Sequence, residues 1–516
     1  MKKGLLKKLI AASLAAVFVL AAAGCAAAPA AAPAPAAAAE APAEEAPAAE
    51  PEAAEQAEEA AAPEELVPIK WIMIGNGMPD NYDAWIKQLN DYIGPKIGVE
   101  AEVEIIPWGD FDNRRNVLVS TGGDYDILWC AGSQHSFVEM GAFMPITDLL
   151  PECVPDLYNY IPADFWDAVK INGEIYTIPV YKDSAATHYQ VWDQDLCDAA
   201  GVDPTQFTDL TEDMTEALLK LKDAETENHI AGEAPCIIDS GGAGYLLSRY
   251  DMMNSGQSVL GVRYDDPEAK VVYVFEQEDI LNYLKLYREW YELGIINSDA
   301  ATLPGNAVSN YTGWQVSQGW STAAITVWGP NRGCNCTAVQ WGDTVLSNGT
   351  VQGSMEAISA NCARPDKALE FIQITNLDSY VRDLFYYGVE GENWEYTESG
   401  KVHKLNESWP MAGYTQATFF TVTPLDDVEI NQWDEVKELN EQAIPSVTLG
   451  FNVDVSPVLD DISNLAAIYN SYKSELMTGT VDPEETIASM TEELEAAGLE
   501  KVREELQRQL DEFLGK

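Results

Sequence analysis

Residues 70–106 read KWIMIGNGMPDNYDAWIKQLNDYIGPKIGVEAEVEII, and this stretch decides the fold class. A short apolar run ends in Gly75-Asn76-Gly77, which is typical of a strand that enters a loop. Apolar residues then recur at helical spacing over residues 81–97, and residues 99–106 alternate as a second strand. After another helix, residues 126–129 form a third apolar run. Strands that alternate with helices predict a parallel sheet with right-handed crossovers.

The loops after the first and third predicted strands are candidate binding loops, because ligands of open parallel sheets bind beyond the carboxyl ends of the strands. Trp129 stands out because it ends a strand and is followed by small and polar residues. An ordinary solvated loop is the alternative for each position. The candidate ligand-binding residues in these loops are Asn76, Asp80, Trp129, Ser133 and Gln134.

The beginning of the chain has the features of an export signal. Residues 1–8 carry four lysines, and residues 9–23 are uncharged and almost entirely apolar. As a helix those fifteen residues would rise about 22 Å, short of the roughly 30 Å hydrocarbon core of a membrane. The next residues, Ala22-Ala23-Gly24-Cys25, resemble the lipobox of bacterial lipoproteins, although Ala22 replaces the usual large aliphatic residue. We expect a signal peptide over residues 1–24 and lipid attachment at Cys25; ordinary cleavage after a small residue is the alternative.

Residues 25–65 are almost entirely Ala, Pro and Glu. Residues 26–66 contain ten Glu and seven Pro and no Lys, Arg or aromatic residue. A segment with nothing to bury cannot offset its ordering entropy, so we predict a disordered tether. Beyond residue 66 no apolar run approaches the 18 residues that a membrane helix needs, and we expect membrane contact through the lipid anchor only.

Composition excludes some function classes. The formal net charge is -54, which disfavours nucleic acid as a partner. Seven cysteines besides Cys25 are an odd number, so at least one thiol is expected to stay unpaired. Cys334-Asn335-Cys336 lacks the second pair and the nearby histidine of a zinc site, and we expect no metal and no cofactor.

Enzyme motifs are missing from the sequence. There is no GxSxG elbow, no HExxH and no GxxxxGK[ST], and the glycine-rich residues 241–244 lack a following Lys and Ser or Thr. Carboxylate pairs such as Asp426-Asp427 arise by chance in so acidic a chain, so composition alone leaves a two-carboxylate glycosidase open. We expect a protein that is not an enzyme.

The C-terminal residues 481–516 predict two amphipathic helices. Asp482 is expected to cap the first, Pro483 to occupy its first turn, and Glu485 to complete a capping box. Earlier in the chain, Thr211 is expected to cap another helix. The C-terminal helices are expected to dock on the body through their apolar stripes, and a partner-binding coiled coil is the alternative. The stripes are Ile487, Met490 and Leu494 in the first helix and Val502, Leu506, Leu510 and Phe513 in the second.

Four stretches carry a family resemblance: GAFMPI at residues 141–146, GEIYTIP at 173–179, YGVEGENW at 387–394, and the ending from LMTGTVDPEETI at 476 onward. In this order they resemble the extracellular solute-binding proteins of family 1, the lipid-anchored receptors of bacterial ABC importers. The likeness is to a long subgroup with a distinctive C-terminal region, in which Trp is common where this chain has Phe513.

The resemblance implies an α/β protein with a two-lobe, periplasmic-binding-protein-like fold of type II, with parallel-core sheets flanked by helices and the C-terminal helices appended. We expect lobe 1 to comprise residues 66–180 and about 306–362. Lobe 2 is expected to comprise about 181–305 and 363–480. The resemblance further implies a monomer that works with ABC permease subunits on the extracellular face of the membrane of a Gram-positive-type bacterium.

The solutes of the family are mostly sugars and oligosaccharides, and sugar sites need aromatic faces and planar polar groups. A peptide or polyol is the first alternative, and a surface glycoside-active enzyme or an adhesin is more remote. Tryptophans at loop-like positions that could supply a face are Trp108, Trp129, Trp314, Trp320, Trp328, Trp394 and Trp409. Trp328 is expected to end a strand. Further candidate ligand-binding residues are Tyr181, Lys182, Asp239, Ser240 and Trp328; for each, a role in the core or on the surface is the alternative.

Overall fold

The computed structural model describes residues 66–131, 134–305 and 311–516. The expected signal peptide, Cys25, the tether and Ser133 lie outside the described residues. Within the described residues, the helices are too short or too polar to meet the requirements of a membrane span.

Strands and helices alternate over the first part of the chain, and helices dominate its end. The strands are β1 (Val67–Gly75), β2 (Val99–Pro107), β3 (Ile127–Cys130), β4 (Lys170–Ile171), β5 (Glu174–Ile175), β6 (Thr177–Pro179), β7 (Ala186–Asp193), β8 (Tyr250–Asp251), β9 (Leu260–Arg263), β10 (Val271–Tyr273), β11 (Trp314–Gln318), β12 (Cys336–Leu346), β13 (Met355–Ile358), β14 (Trp394–Tyr396), β15 (Val402–Lys404) and β16 (Ile444–Pro445). The α-helices are α1 (Tyr82–Ile97), α2 (Trp108–Thr121), α3 (Gln134–Glu139), α4 (Leu149–Cys153), α5 (Pro155–Tyr160), α6 (Ala163–Ala168), α7 (Gln194–Ala200), α8 (Asp213–Asp223), α9 (Glu278–Glu292), α10 (Gly329–Arg332), α11 (Asn348–Val351), α12 (Pro365–Leu377), α13 (Ser379–Tyr387), α14 (Gln432–Gln442), α15 (Leu459–Leu476), α16 (Pro483–Ala496) and α17 (Leu499–Leu514).

The first sheet has the strand order β2-β1-β3-β13-β6. β1 pairs in parallel with β2 and with β3, as the alternation of strands and helices predicts. The turn from α1 into β2 is tight because Gly98, at φ 67°, adopts the left-handed conformation that glycine reaches without steric cost. β13 returns from a distant part of the chain and runs antiparallel to both β3 and β6. The carboxyl ends of β1, β2, β3 and β6 therefore share one edge, which we call the carboxyl edge.

The second sheet has the order β11-β7-β12-β16. β7 pairs antiparallel with β11 and with β12, whereas β12 pairs in parallel with β16. The parallel arrangement predicted from residues 70–129 thus describes the first sheet, and the second sheet is mostly antiparallel. The short strands β8, β9 and β10 lie between β7 and β11 in the sequence and form a separate small antiparallel sheet.

Two separate hydrophobic cores define two lobes. The first core surrounds the first sheet and includes Trp71, Trp85 and Phe385; the second includes Trp192, Trp290 and Trp314. Helices α12 and α13 contribute to the first core, and β11 contributes to the second. These memberships differ from the expected boundaries, which gave residues from 363 onward to lobe 2 and the β11 segment to lobe 1. For α12 and α13 the reason is that β13 lies between β3 and β6 in the first sheet, and the two helices that follow β13 in the chain pack on the same core.

The chain crosses between the lobes near residues 180–186, 346–355 and 440–447, and hydrogen bonds hold these segments side by side. The backbone N–H of Val180 donates to the carbonyl of Ser354 at 3.0 Å, and that of Ser446 donates to Leu346 at 2.7 Å. Asn440, buried at the end of α14, donates to the carbonyl of Lys182 at 2.5 Å and accepts from the backbone N–H of Ala185 at 2.9 Å. Three adjacent crossing segments of this kind form a hinge region.

The C-terminal helices pack on the second core, as their apolar stripes predict. Met490, Leu494, Val502, Leu506 and Leu510 are fully buried in that core. The predicted cap is confirmed, because the Asp482 carboxylate accepts from the backbone N–H of Glu485 at 3.0 Å. Phe513 is the exception in the stripe, with 48% of its surface exposed.

The predicted cap at Thr211 is wrong. α8 begins at Asp213 and follows Glu212, and neither position makes a side-chain cap. The Thr211 carbonyl instead accepts from the backbone N–H of Met214, which closes a turn before the helix begins.

Candidate functional site

The candidate site lies at the carboxyl edge of the first sheet. Residues that follow β1, β2 and β6 are brought together there with a loop that comes from much later in the chain. The backbone N–H of Asn76 donates to the carbonyl of Pro410 at 3.4 Å, and the Thr415 hydroxyl donates to the carbonyl of Ile74 at 3.3 Å. These two bonds hold residues 410–415 against the end of β1. The site is therefore a product of the fold rather than of any one segment.

Two exposed aromatic rings form the most prominent feature of this edge. The rings of Trp108 and Tyr414 stack with their centroids 6.0 Å apart and their planes 22° apart. Trp108 is 41% exposed and Tyr414 38% exposed, which is unusual for such large apolar groups. The indole N–H of Trp108 donates to Asn76 Oδ1 at 3.0 Å and so fixes the ring. We call Trp108 and Tyr414 the aromatic edge.

Charged groups border the aromatic edge. Lys182 Nζ lies 5.8 Å from the centroid of the Tyr414 ring and pairs with Asp183 Oδ1 at 2.8 Å. Burial, with the nearby Asp183 charge, raises the pKa of the Tyr414 hydroxyl above its ordinary value, so this hydroxyl is a hydrogen-bond donor at neutral pH. Of the residues proposed from the sequence, Asn76 and Lys182 are therefore brought to one place, and Asp80 is exposed in the loop that follows Asn76.

Trp129, Gln134 and Tyr181 are also close to the carboxyl edge, but the structure buries their side chains. Trp129 is 6% exposed, and its indole N–H donates to Ser354 Oγ at 2.8 Å. The Ser354 hydroxyl in turn donates to the carbonyl of Tyr414 at 2.9 Å. Gln134 Oε1 accepts from the Thr177 hydroxyl at 2.7 Å. Trp129 is thus linked through Ser354 to the backbone of Tyr414.

Tyr181 packs within the first core. Its ring lies 4.7 Å from that of Phe420 and 5.3 Å from that of Phe165, both nearly edge to face. Burial raises its pKa to about 12. In this arrangement Tyr181 anchors the first crossing segment to lobe 1.

Asp239 and Ser240 lie in lobe 2 and are not part of the carboxyl edge. Asp239 Oδ1 accepts from the backbone N–H of Gly241 at 2.6 Å, which closes a local turn. The backbone N–H of Ser240 donates to Leu303 at 2.8 Å, and its carbonyl accepts from the Ser474 hydroxyl at 2.8 Å. These bonds show that the loop is a turn that packs against α15.

Trp328 does not end a strand, so that prediction is wrong. It is the last residue of a π-helical turn, Ala324–Trp328, which continues into α10. Its half-buried ring lies 6.1 Å from that of Tyr189. A Cβ at Gly319 would come within 2.9 Å of the Trp328 ring, so only glycine allows this close approach. The apolar run AAITVW resembles a strand in composition, but Ser321 and Thr322 begin a helical segment instead.

A cluster of hydrogen bonds joins this helical segment of lobe 2 to α14, whose Trp433 belongs to the first core. The Glu435 carboxylate accepts from the backbone N–H groups of Ser321 at 2.7 Å and Thr322 at 3.0 Å. It also accepts from both hydroxyls, at 2.5 Å and 2.6 Å. Burial opposes the ionisation of Glu435, but these bonds outweigh it and hold its pKa below the ordinary value. We call Glu435, Ser321 and Thr322 the interlobe clasp.

Tyr414 and Glu435 are site residues that sequence reasoning missed. Tyr414 lies in a stretch without regular periodicity, and Glu435 is one of many acidic residues in an amphipathic helix. No local signal distinguishes either residue, since the partners of each are far away in the sequence. Trp108 was among the tryptophans at loop-like positions, and its place directly after β2 was the available signal.

The part of the chain that the structure describes holds no group of three or more side chains arranged to bind a metal ion. The described cysteines are all free thiols. Cys334 and Cys336 come nearest to each other, with their sulfur atoms 3.9 Å apart in lobe 2.

Comparisons with known proteins agree with this architecture. Residues 78–373 match the family described as bacterial extracellular solute-binding protein, and residues 447–515 match a domain of unknown function, DUF3502. A carbohydrate ABC transporter substrate-binding protein of Streptococcus pneumoniae is 26% identical over 464 residues, which cover 86% of this chain and 91% of that protein.

The N-glycan transport solute-binding protein NgtS of Streptococcus pneumoniae has a similar structure. The sequence of the crystallised NgtS chain is 24% identical to this one. The superposition covers 87% of this chain and 99% of the NgtS chain and has a TM-score of 0.78. The complex of NgtS with Man1GlcNAc has the same identity, covers 87% of this chain and 100% of its own, and gives a TM-score of 0.71. The complex with Man5GlcNAc, also 24% identical, covers 87% of this chain and 99% of its own and gives a TM-score of 0.68. Because the family model spans more than half of the sequence, the chain belongs to the bacterial extracellular solute-binding protein family.

Proposed function

We propose that this protein is the receptor of an ABC importer and that it captures an oligosaccharide between its two lobes. The observation that carries the proposal is the aromatic edge, where two large rings lie exposed beside polar groups at the carboxyl edge of a parallel sheet. This is the place where open α/β sheets bind their ligands. A structural role alone does not account for two stacked rings in contact with solvent.

The chemistry of the edge suits a sugar. One face of a pyranose ring presents C–H groups, which pack on an aromatic face, while its hydroxyls need donors and acceptors around the rim. Trp108 and Tyr414 supply the faces. Asn76, Lys182 and Asp183 supply an amide, an ammonium and a carboxylate within the same region.

The relatives support the same class of solute. One relative is named as a carbohydrate substrate-binding protein, and NgtS has been crystallised with two mannose-containing glycans. We extend to this chain the class of ligand, an oligosaccharide, and not a particular glycan.

Capture would work by closure of the two lobes about the three crossing segments. A solute that contacts both lobes binds the closed state better than the open state and so shifts the population toward closure. The interlobe clasp gives the lobes a fixed contact next to the hinge. The receptor would bind without turnover and hand the solute to the permease subunits.

The amino-terminal segments complete the proposal. A signal at residues 1–24 would export the chain, acyl chains at Cys25 would anchor it on the extracellular face of the membrane, and residues 25–65 would tether it. A tether keeps the captured solute near the permease and so raises its effective concentration there.

Thermal unfolding of the full chain against a panel of neutral oligosaccharides, peptides and polyols tests the proposal. A ligand at about 100 times its Kd stabilises the folded state by about 2.7 kcal/mol, which raises the Tm measurably. We expect a rise with at least one oligosaccharide and, on chromatography, the same oligosaccharide intact after incubation. A rise with only a peptide or a polyol would contradict the sugar assignment, and cleavage of the oligosaccharide would contradict the receptor assignment.

A further inference from the structure

A cavity is lined by residues of both lobes. It has a volume of about 530 Å³, which is within the range of small-molecule sites. Lobe 1 contributes α3 and the turn between β4 and β5, and lobe 2 contributes the residues around Gly450 and the end of α17. We call it the lateral groove; its principal lining residues are His135, Lys170, Asn172, Phe451, Asn452 and Phe513.

The topology of the first sheet connects the lateral groove to the carboxyl edge. His135 is the second residue of α3, and α3 begins within a few residues of the end of β3. The carboxyl end of β3 lies on the same edge as those of β1 and β2, which carry Asn76 and Trp108. α3 therefore leads from the carboxyl edge to the wall of the groove that His135 lines.

Phe513 offers an aromatic face to this groove. It is 48% exposed, whereas Leu506 and Leu510 on the same helix are fully buried. Its ring lies 5.6 Å from that of Phe451 at an angle of 48°, so one side of it is supported. Gly450, at φ +86°, sits beside it, and a Cβ there would lie 3.5 Å from the Phe513 ring and 3.6 Å from the Asp167 carbonyl. The positive φ favours glycine here, and the backbone of Gly450 lies between Asp167 of lobe 1 and the exposed ring of Phe513.

The polar walls of the groove are held in place by hydrogen bonds. Asn452 donates to the carbonyl of Lys170 at 2.6 Å, which ties the two walls together. Gln509 accepts from the backbone N–H of Asp454 at 2.9 Å and donates to its carbonyl at 2.8 Å. His135 Nδ1 is buried and has no hydrogen-bond partner among the residues that the structure describes. The groove thus presents polar groups whose positions are fixed by hydrogen bonds.

Charge narrows the class of ligand. The groove is lined by three carboxylates, Asp167, Asp454 and Glu512, against one lysine, Lys170. That lysine already pairs with Asp167 at 2.6 Å. An excess of negative charge repels carboxylated ligands, and the whole protein, at -54, adds to the effect. Neutral sugars carry hydroxyls and ring faces without this penalty.

We propose that the lateral groove binds neutral outer units of an oligosaccharide whose first units occupy the aromatic edge, and that one of the outer rings stacks on Phe513. This inference rests on the proposed function and names the length and the charge of its solute. It gives the C-terminal helix α17 a role in ligand selection in addition to its packing on the second core.

Isothermal titration of the full chain with a short and a long neutral probe, Man1GlcNAc and Man5GlcNAc, tests the inference. If the panel selects another neutral series, its two-unit and six-unit members replace them. We expect Phe513→Ala to weaken binding of the long probe about tenfold, since loss of a stacked ring is worth about 1.4 kcal/mol, and to leave the short probe within about twofold. Phe513→Trp keeps the face and should bind like the wild type, whereas Phe513→Leu keeps an apolar side chain without the face and should behave like Phe513→Ala.

The outcomes separate this inference from the proposed function. Equal binding of the long probe by Phe513→Ala and the wild type, or equal losses for both probes, overturns the groove while the sugar receptor stands. Tighter binding of an oligouronate of the same length than of the neutral probe also overturns it. Failure of every neutral oligosaccharide to bind the wild type overturns the proposed function and this inference with it. Because Phe513 is half exposed, all three variants are expected to keep the wild-type Tm, which confirms that they are folded.

Discussion

Two regions of the first lobe use tryptophan in opposite ways. Trp71, in the middle of β1, is fully buried and packs against Phe371 at 5.3 Å and Phe385 at 5.6 Å. Trp108, directly after β2, is 41% exposed and stacks on Tyr414. The same side chain stabilises the fold within a strand and is available to a ligand one residue beyond a strand end. Residue type therefore does not decide the role: Phe371 and Phe385 cover Trp71, whereas Trp108 keeps part of its surface in solvent.

The two regions also treat polar groups differently. In the core, the indole N–H of Trp71 donates to Glu356 Oε2 at 2.9 Å, and that carboxyl is fully buried. Burial raises the pKa of Glu356 well above its ordinary value, although the bond from Trp71 lowers it in part. At the edge, the indole N–H of Trp108 donates to the exposed amide of Asn76. The bond in the core therefore involves a group that titrates, whereas the bond at the edge joins two groups that do not.

Trp71→Ala should have the largest effect. Removal of a fully buried indole leaves a cavity in the first core and leaves Glu356 without its donor, so we expect a loss of about 3–5 kcal/mol in the free energy of unfolding. Denaturant unfolding measures the loss. At a temperature where the variant is folded, its affinity for oligosaccharide should equal that of the wild type. A loss of affinity at full folding would show that the two regions are not independent.

Glu356→Gln should change the pH dependence of stability. In the unfolded state Glu356 loses its proton above the ordinary pKa of glutamate, whereas in the folded state it keeps that proton to a higher pH. Between these two pKa values the folded state binds more protons, so the free energy of unfolding decreases as the pH rises. The slope from one such proton is at most about 1.4 kcal/mol per pH unit. Glutamine is always neutral and still accepts from Trp71.

Denaturant unfolding of both proteins between about pH 5 and pH 7 checks this expectation. The free energy of unfolding of Glu356→Gln, relative to that of the wild type, should increase across this range. An unchanged difference between the two proteins would mean that Glu356 is ionised in the folded state.

Trp108→Ala should reverse the pattern of Trp71→Ala. We expect a fall in oligosaccharide affinity of about tenfold or more, or about 1.4 kcal/mol, with a change in the free energy of unfolding within about 0.5 kcal/mol. Titration calorimetry and denaturant unfolding of the same preparation give both numbers. Trp108→Phe, which keeps a ring face but loses the bond to Asn76, is the matched control and should retain part of the affinity. Destabilisation comparable to that of Trp71→Ala would erase the distinction between the regions.

Asp482→Ala, at the start of α16, should have the smallest effect and lies outside both regions. Loss of a helix cap costs about 1 kcal/mol of stability, because the backbone N–H of Glu485 loses its acceptor. Affinity for short oligosaccharides should not change. Asp482→Asn keeps an acceptor and should restore most of the stability, which separates the cap from the negative charge.

The elements that the sequence predicted correctly have local causes. The alternating strands and helices of residues 67–130 and the Asp482 cap follow from periodicity and from turn and cap chemistry within a few residues. Where two local causes compete, prediction failed. The apolar run before Trp328 has the composition of a strand, but it follows Ser321 and Thr322, which begin a helical segment held by Glu435.

Burial at the site could be predicted only in part. Trp129 and Trp108 both lie at or just after strand ends, and the small and polar residues after Trp129 favoured it as the binding residue, but the structure buries Trp129 and exposes Trp108. Ser354 and Phe111 cover Trp129, and both come from other segments. Tyr181 is covered in the same way by Phe165 and Phe420. A residue's exposure depends on what the rest of the chain places above it.

The sequence by itself determined the family, the parallel start of the first sheet and the amphipathic C-terminal helices, because short-range spacing encodes these features. Only the tertiary structure decided the rest: the insertion of β13 that assigns α12 and α13 to the first lobe, the pairing of Trp108 with Tyr414, and the clasp at Glu435. The physical reason is that each of these contacts joins residues far apart in the chain. Their partners are selected by the packing of whole lobes, which no local pattern of residues specifies.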